Sequence, residues 1–339
     1  MELNNFIGVQ PNILTIAPTH KCTASCKECC FGCTPKIDYI MSPERIIEYI
    51  DDSLREYPEI KVIVFTGGEC FLMGDELTTV VAHAASYNKI TRVVTNGYWA
   101  YSYEAAVERL KKLVEANLTE INFSTGDCHQ EFVKFDNIVN GILAAYDLGI
   151  KTICISVESP PYAEFTSKQI KEHVKLAPLI EEGVLICLDA AWMTFKKEEE
   201  TRAVQYIYQK QYKPCHNIYN NITINPYSQM LACCGLTVEY NEYLKLGSLE
   251  KHGIRELYES QFNDLFKLWL YTDGPEYIYD MVLEERNLRR ESLPHECAYC
   301  IELIKDKENI PVIKEIFERE LSNILFRFKM RTAKFMYKT

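Results

Sequence analysis

The sequence predicts an α/β fold: an open or closed barrel of six strand and helix units, followed by a smaller module and a helical ending. Two observations carry this. From residue 11 to about residue 190, short apolar runs alternate with longer helical patterns, and Gly, Pro, Asn or Asp marks each switch. After Lys196 the alternation stops, and a Tyr-rich stretch leads into cysteines at 215, 233, 234, 297 and 300. Regular alternation implies a parallel sheet, because parallel strands require crossover connections and these are usually helices.

The expected strands are "NILTIAP" (12–18), "KVIVFTG" (61–67), "RVVTNG" (92–97), "EINFSTG" (120–126), "KTICISV" (151–157) and "VLICLDA" (184–190). The segments between them open on good helix caps: Ser42 before Pro43 and Glu44, Ser102 before Glu104, and Ser167 before an amphipathic run. No internal repeat or low-complexity linker appears, so domain boundaries follow the change of pattern. They are a barrel over 1–205, a metal-dependent module over 206–305 and a helical tail over 306–339.

At 339 residues the chain suits one large domain with an appendage or two modest ones, since domains run ~100–200 residues. The start "MELNNFIGVQ" has neither a basic patch nor an apolar core. No window approaches the ~18 unbroken apolar residues of a membrane span. A cytoplasmic protein without a membrane partner is expected. The net charge of -11 argues against nucleic acid, whose binding needs phosphates neutralised. The basic stretch from Arg327 to Lys338, "RFKMRTAKFMYK", reads as a solvated helix end rather than a membrane anchor. Fourteen cysteines in a reducing compartment are poorly explained by disulfides, and metal ligation accounts for them better.

The loop after the first strand reads "HKCTASCKECCFGCTP". Cys22, Cys26 and Cys29 are spaced by three and then two residues, at the strand's carboxyl end, where α/β barrels place their chemistry. Three thiolates on one short loop can bind three irons of a [4Fe-4S] cube and leave the fourth open, whereas a ferredoxin cluster uses four cysteines. A zinc knuckle is the alternative, but it prefers four ligands in paired spacings. The pattern resembles the radical S-adenosylmethionine superfamily, which implies a partial (β/α)6 barrel. It also implies an open iron that chelates the amine and carboxylate of the cofactor S-adenosyl-L-methionine. Electron transfer from the reduced cluster then releases a 5'-deoxyadenosyl radical.

The other strand ends fit this resemblance. "TGGE" (Thr66, Gly67, Gly68, Glu69) is similar to the family's second motif, where the strand edge and the acidic side chain meet the methionine amine. Glycine there permits close backbone approach, although "GG" alone can be an ordinary turn. Asn96, Ser124, Asp127 and Ser156 fall near the carboxyl ends of the third, fourth and fifth strands, where the resemblance implies contacts to the ribose and the methionine carboxylate. Asn, Ser and Asp serve equally as turn and cap residues. Glu28 departs from the family pattern, which often has an aromatic residue just before the last loop cysteine.

The second group supplies five thiols. Four, Cys215, Cys233, Cys297 and Cys300, can close an all-thiolate site for one auxiliary [4Fe-4S] cluster, and zinc suits the same ligands chemically. "NPYSQMLACCG" followed by "LKLGSLEKHGIRELY" resembles the SPASM/twitch-like auxiliary-cluster domains of radical enzymes that act on peptides. Adjacent Cys233 and Cys234 point apart if the backbone is extended, so a ligating Cys233 leaves Cys234 free to give a hydrogen atom to a carbon radical. The cysteine loop, "FTGGE", "TNGYW", "GDCH" and the "CC" plus "CxxC" ending together resemble the radical peptide epimerases of epipeptide biosynthesis. Those enzymes remove an α-hydrogen from an L-residue, and a cysteine returns one from the opposite face. Their aspartate about twelve residues before the donor pair falls here on Asn221, an amide that cannot accept a proton near neutral pH. Asp189, His216 or Tyr219 could take its place.

Cys154 and Cys187 lie in apolar strands and read as packing residues, while Cys30 and Cys33 read as loop thiols beside the first cluster. The resemblance implies a ribosomally made precursor peptide as substrate and an external one-electron reductant such as flavodoxin or ferredoxin. Only about a dozen residues precede the first strand, so the barrel, the second module or another protein is expected to hold the precursor. Two alternatives to L-to-D epimerisation stand: thioether or carbon-carbon cross-linking of a peptide, and a non-catalytic zinc or iron-sulfur scaffold.

Overall fold

A computed structural model of the chain describes residues 9–160, 162–190 and 212–336. The expected change of pattern after Lys196, and the boundary between 205 and 206, lie outside the described residues. The chain divides into two compact units, 12–190 with 224–227 and 212–223 with 228–336, residues 9–11 going with the second.

The first unit is built from β1 (Ile13–Ile16), α1 (Pro43–Glu56), β2 (Val62–Phe65), α2 (Asp75–Ser86), β3 (Ile90–Thr95), α3 (Tyr103–Glu115), β4 (Glu120–Thr125), α4 (Asp127–Gln130), α5 (Phe135–Asp147), β5 (Thr152–Glu158), α6 (Ser167–Lys171), α7 (Ala177–Glu181) and β6 (Leu185–Ala190). Every expected strand forms. The six strands are parallel, in the order β6-β5-β4-β3-β2-β1. The sequential order leaves β1 and β6 at opposite ends, which is the arrangement of a partial (β/α)6 barrel. Ala17 N donates to Ile224 O on the outer side of β1 at 2.9 Å. The central strands bury an apolar face: Ile63, Phe65, Val93, Ile121 and Phe123 are fully buried. Strand β6 has a covered face only in part, with Ile186 and Leu188 exposed.

Helix α1 buries Ile46, Tyr49, Ile50, Ser53 and Leu54, the three-and-four spacing of a single face. Its Ser42 cap accepts from Arg45 N, and the Ser102 cap of α3 accepts from Ala105 N. The third expected cap is displaced by one residue. Thr166, not Ser167, caps α6, because it forms a reciprocal capping box with Gln169 that Ser167 has no acid or amide positioned to make.

The second unit holds β7 (Asn221–Ile224, its last residue counted with the first unit), β8 (Gln229–Leu231), β9 (Lys245–Ser248), α8 (Ile254–Ser260), α9 (Leu265–Asp273), α10 (Pro275–Glu285), α11 (Glu296–Lys305) and α12 (Asn309–Met336). Strands β8 and β9 are antiparallel, with a register shift between Met230 and Leu231 just before the cysteine pair. Gly274 joins α9 to α10 at φ 85, and a side chain there would fall on Lys213 O. This close approach seats the neighbouring Cys215, whose N–H donates to Leu270 O at 3.0 Å.

Candidate metal centres

The cysteine loop leaves β1 and closes on itself: Lys21 bridges to Thr34, and Cys22 N donates to Thr34 O at 3.2 Å. The closed neck sets Cys22 and Cys33 side by side and folds the residues between them inward. Cys26 O and Cys29 O accept from Cys29 N and Gly32 N, and Gly32 takes φ 61 to make the turn. Cys22, Cys26 and Cys33 are buried together with Ala24, and Cys29, Phe31 and Cys128 pack against them.

Two loop sulfurs receive backbone donors: Ala24 N to Cys22 Sγ and Cys33 N to Cys29 Sγ, both at 3.4 Å. Asn96 Nδ2 lies 3.5 Å from Cys22 Sγ and 3.1 Å from Thr23 Oγ1. The Cys33 thiol, hydrogen-bonded to Cys29, lowers Cys29 to about 6 against the opposing effect of burial. Burial pushes Cys22 up to about 12 and raises Cys26 as well. Three thiolates cannot share this pocket without a cation, and a coordinating metal deprotonates thiols outright. The donor set therefore fits an iron-sulfur core.

The carboxyl ends of the strands wall the same cavity. Gly67, Gly68, Asn96 and Ser124 line it with Cys22, Cys26 and Cys29, as do Thr95, Cys33, Cys128, His129 and Glu158. Glu69, Asp127 and Ser156 do not. The two glycines face the chain itself: a side chain at Gly67 would fall on Thr19 O, and one at Gly68 on Lys21 O. Gly68 N donates to Thr19 O at 2.7 Å and Glu69 N to Lys21 O at 2.9 Å, so the end of β2 is laced to the base of the loop.

Glu69 is fully buried. Its carboxylate accepts from Thr95 Oγ1, Asn96 N and Phe71 N, and burial raises its pKa to about 7. These bonds tie β2 to β3. Asp127 accepts from Glu164 N and Phe165 N, both at 2.8 Å, and Ser156 Oγ donates to Asn122 Oδ1 at 3.2 Å. Glu28 takes a hydrogen bond from Tyr162, an aromatic residue reaching the loop from elsewhere in the unit. Cys154 and Cys187, expected as packing residues, are only half-buried, because β5 and β6 lie toward the open end of the sheet.

In the second unit, Cys215, Cys233, Cys297 and Cys300 line one small cavity. Helix α11 puts Cys297 and Cys300 on one face three residues apart, and His295 Nδ1 caps Cys297 N at 3.1 Å. Gly235 leaves room for them: a side chain there would lie 3.1 Å from Cys297 Sγ and 3.5 Å from Cys233 Sγ. Burial pushes Cys297 to about 12 and raises Cys215, Cys233 and Cys300, and neighbouring cysteines add to the shifts of Cys297, Cys233 and Cys300. Four converging buried thiols fit a tetrathiolate metal centre, chemically iron-sulfur or zinc.

Cys234 does not line that cavity. Its Sγ lies 3.5 Å from Asn217 Oδ1, which also accepts from Asn221 Nδ2 at 3.2 Å. Asn221 is thus joined to Cys234 through a residue that sequence reasoning missed. Of the substitutes weighed for it, Tyr219 is buried and donates to Gln261 O, His216 Nδ1 meets Arg331 at 3.3 Å, and Asp189 on β6 accepts from Ser159. Glu158 and His129 were also missed. Glu158 follows the expected fifth strand by one residue, so the rule that favours strand ends would have found it.

Residues 16–177 match the radical SAM superfamily, so the chain contains a radical SAM domain. Over 297 residues it is 23% identical to YydG of Bacillus subtilis (strain 168), which bears the name of a peptide biosynthesis protein, covering 86% of this chain and 91% of that relative. Its fold is similar to native anSMEcpe with bound AdoMet, with a TM-score of 0.54 at 14% identity, covering 94% of this chain and 99% of the other. The same figures hold for native anSMEcpe with bound AdoMet and Cp18Cys peptide.

Proposed function

We propose that the protein is a radical S-adenosylmethionine maturase of a ribosomally made peptide and that it epimerises L-residues to D-residues. The first cluster would be held by Cys22, Cys26 and Cys29, and an auxiliary [4Fe-4S] cluster by Cys215, Cys233, Cys297 and Cys300. When bound, the reduced first cluster and S-adenosylmethionine supply the 5'-deoxyadenosyl radical that takes the peptide α-hydrogen. Gly67, Gly68, Asn96 and Ser124, which line the cavity with the loop cysteines, would contact that cofactor, while Glu69, Asp127 and Ser156 would support the strand ends and loops around it.

The observation that carries epimerisation is the split of the cysteine pair: Cys233 lines the four-thiol cavity and Cys234 does not. The Cys234 S–H is directed at Asn217 Oδ1. Returning that hydrogen to the peptide Cα radical forms the new Cα–H bond and leaves a thiyl radical on Cys234. One electron from an external flavodoxin- or ferredoxin-like reductant and one proton restore the thiol. Asn217 and Asn221 orient the donor; neither amide takes its proton. The resemblance to YydG, by its name, supports a peptide substrate.

The test is mass spectrometry of a precursor peptide after turnover in deuterated water by reconstituted, reduced protein. Epimerisation adds about one mass unit per modified residue, since the S–H exchanges with solvent. Cys234→Ala should still cleave S-adenosylmethionine but give no deuterated D-residue. A product lighter by two hydrogens sinks epimerisation in favour of cross-linking, and absence of 5'-deoxyadenosine from the wild type sinks the radical reading altogether.

A further inference from the structure

Glu158 ends β5 with its side chain 3% exposed, in the wall of the cavity that holds the three loop cysteines. The Cys128 thiol is hydrogen-bonded to the carboxylate, and His129 Nδ1 stands 3.8 Å from Oε2, beyond hydrogen-bond length. Glu28 and Cys128 bring further ligand atoms within 4.8 Å of it. Oε2 itself has no hydrogen-bond partner among the described residues. The carboxylate occupies this place because residue 126 is glycine: a side chain there would come 2.5 Å from Glu158 Cβ and 3.0 Å from Oε2.

Among the described residues, no lysine or arginine lines the cavity. Its ionisable lining there is the carboxyls of Glu28 and Glu158, the thiols of the loop and Cys128, and the His129 ring. A buried carboxylate without a counter-charge is costly and gains from any cation that enters. S-adenosylmethionine carries a net positive charge, whereas S-adenosylhomocysteine, which lacks the sulfonium, is neutral overall. We infer that Glu158 is a cofactor-binding residue whose free carboxylate oxygen receives the positive charge of S-adenosylmethionine and selects it over the neutral product-like analogue. This rests on the radical reading above. It assigns the selection to β5, not to Glu69 of the glycine motif, whose oxygens are already taken by Thr95, Asn96 and Phe71.

The experiment is equilibrium dialysis of labelled S-adenosylmethionine and S-adenosylhomocysteine with the reconstituted full chain, with iron content and total metal measured on every sample. The wild type should prefer S-adenosylmethionine. Glu158→Gln should weaken that ligand roughly tenfold while changing the homocysteine analogue about twofold at most, so the preference collapses. Glu158→Asp keeps the charge and should keep most of the preference, which guards against a variant that fails to fold. Unchanged affinity and preference in Glu158→Gln, with the wild type binding normally, overturns this inference alone. So does loss of a metal beyond the clusters, since a cation held by Glu28, Cys128 and Glu158 would then be the occupant. A wild type that binds neither ligand overturns the radical reading with it.

Discussion

Gly68 shows how a single position at the carboxyl edge can serve a site through the backbone it admits. The glycine pair is legible as a place of close approach, but what approaches is the backbone at Thr19 and Lys21. Gly68→Ala should push the base of the cysteine loop away from β2 and cost about 1–3 kcal/mol, as overpacking does. Chemical denaturation would measure the loss of stability, and iron per chain after reconstitution should fall with it. Asn221 follows the same pattern. The resemblance marked it as standing where the peptide epimerases have an aspartate, and Asn217, which completes the link to Cys234, carries no signal in the sequence because the contact depends on the turn before β7.

Among the elements, short α4 and the segment leading into α6 depend on Asp127. Read from sequence, Asp127 is a ligand to the cofactor; in the fold its two oxygens hold Glu164 N and Phe165 N. A half-exposed carboxylate with two charge-assisted bonds is worth about 1–2 kcal/mol. Asp127→Ala should lower amide exchange protection at Glu164 and Phe165 while leaving β4 protected, a pattern that hydrogen-exchange mass spectrometry resolves. Unchanged protection at those two amides would show that the loop is held by other contacts. The strands were readable because each is a short run with apolar residues bounded by turn residues, and the α6 cap was misplaced by one because Thr166 and Ser167 are equally good caps until Gln169 chooses between them.

For the molecule as a whole, the helical ending changes meaning. As sequence, Arg327 to Lys338 is a basic, solvated helix end. In the structure Arg327 forms a two-bond pair with Asp273 at 2.8 and 2.7 Å, and Arg331 lies over the Tyr271 ring and donates to Tyr271 O and Cys215 O. Helix α12 also buries Ile313, Ile316, Phe317, Ile324 and Phe328 within the second unit. At about 1.5–3 kcal/mol for each buried side chain, removing them costs on the order of 10 kcal/mol, as much as a domain's whole stability. A chain ending at residue 308 should therefore lose protease resistance across 212–308 together with any metal held by Cys215. Survival of both would return the helix to the status of a tail.

No described helix is long and apolar enough to cross a membrane. The sequence by itself determined the six parallel strands, the three-cysteine loop and the four thiols of the second unit, because these are written in local periodicity and in the spacing of reactive side chains. Only the tertiary structure decided which strand-end residues face the cavity, that Glu158 does and Glu69 does not, and that Cys233 and Cys234 part company. The reason is physical: a side chain's direction and its hydrogen-bond partners are set by residues distant in the chain, such as Thr95 for Glu69 and Asn217 for Cys234. Spacing names the groups that can react, and packing selects which of them are left free to do so.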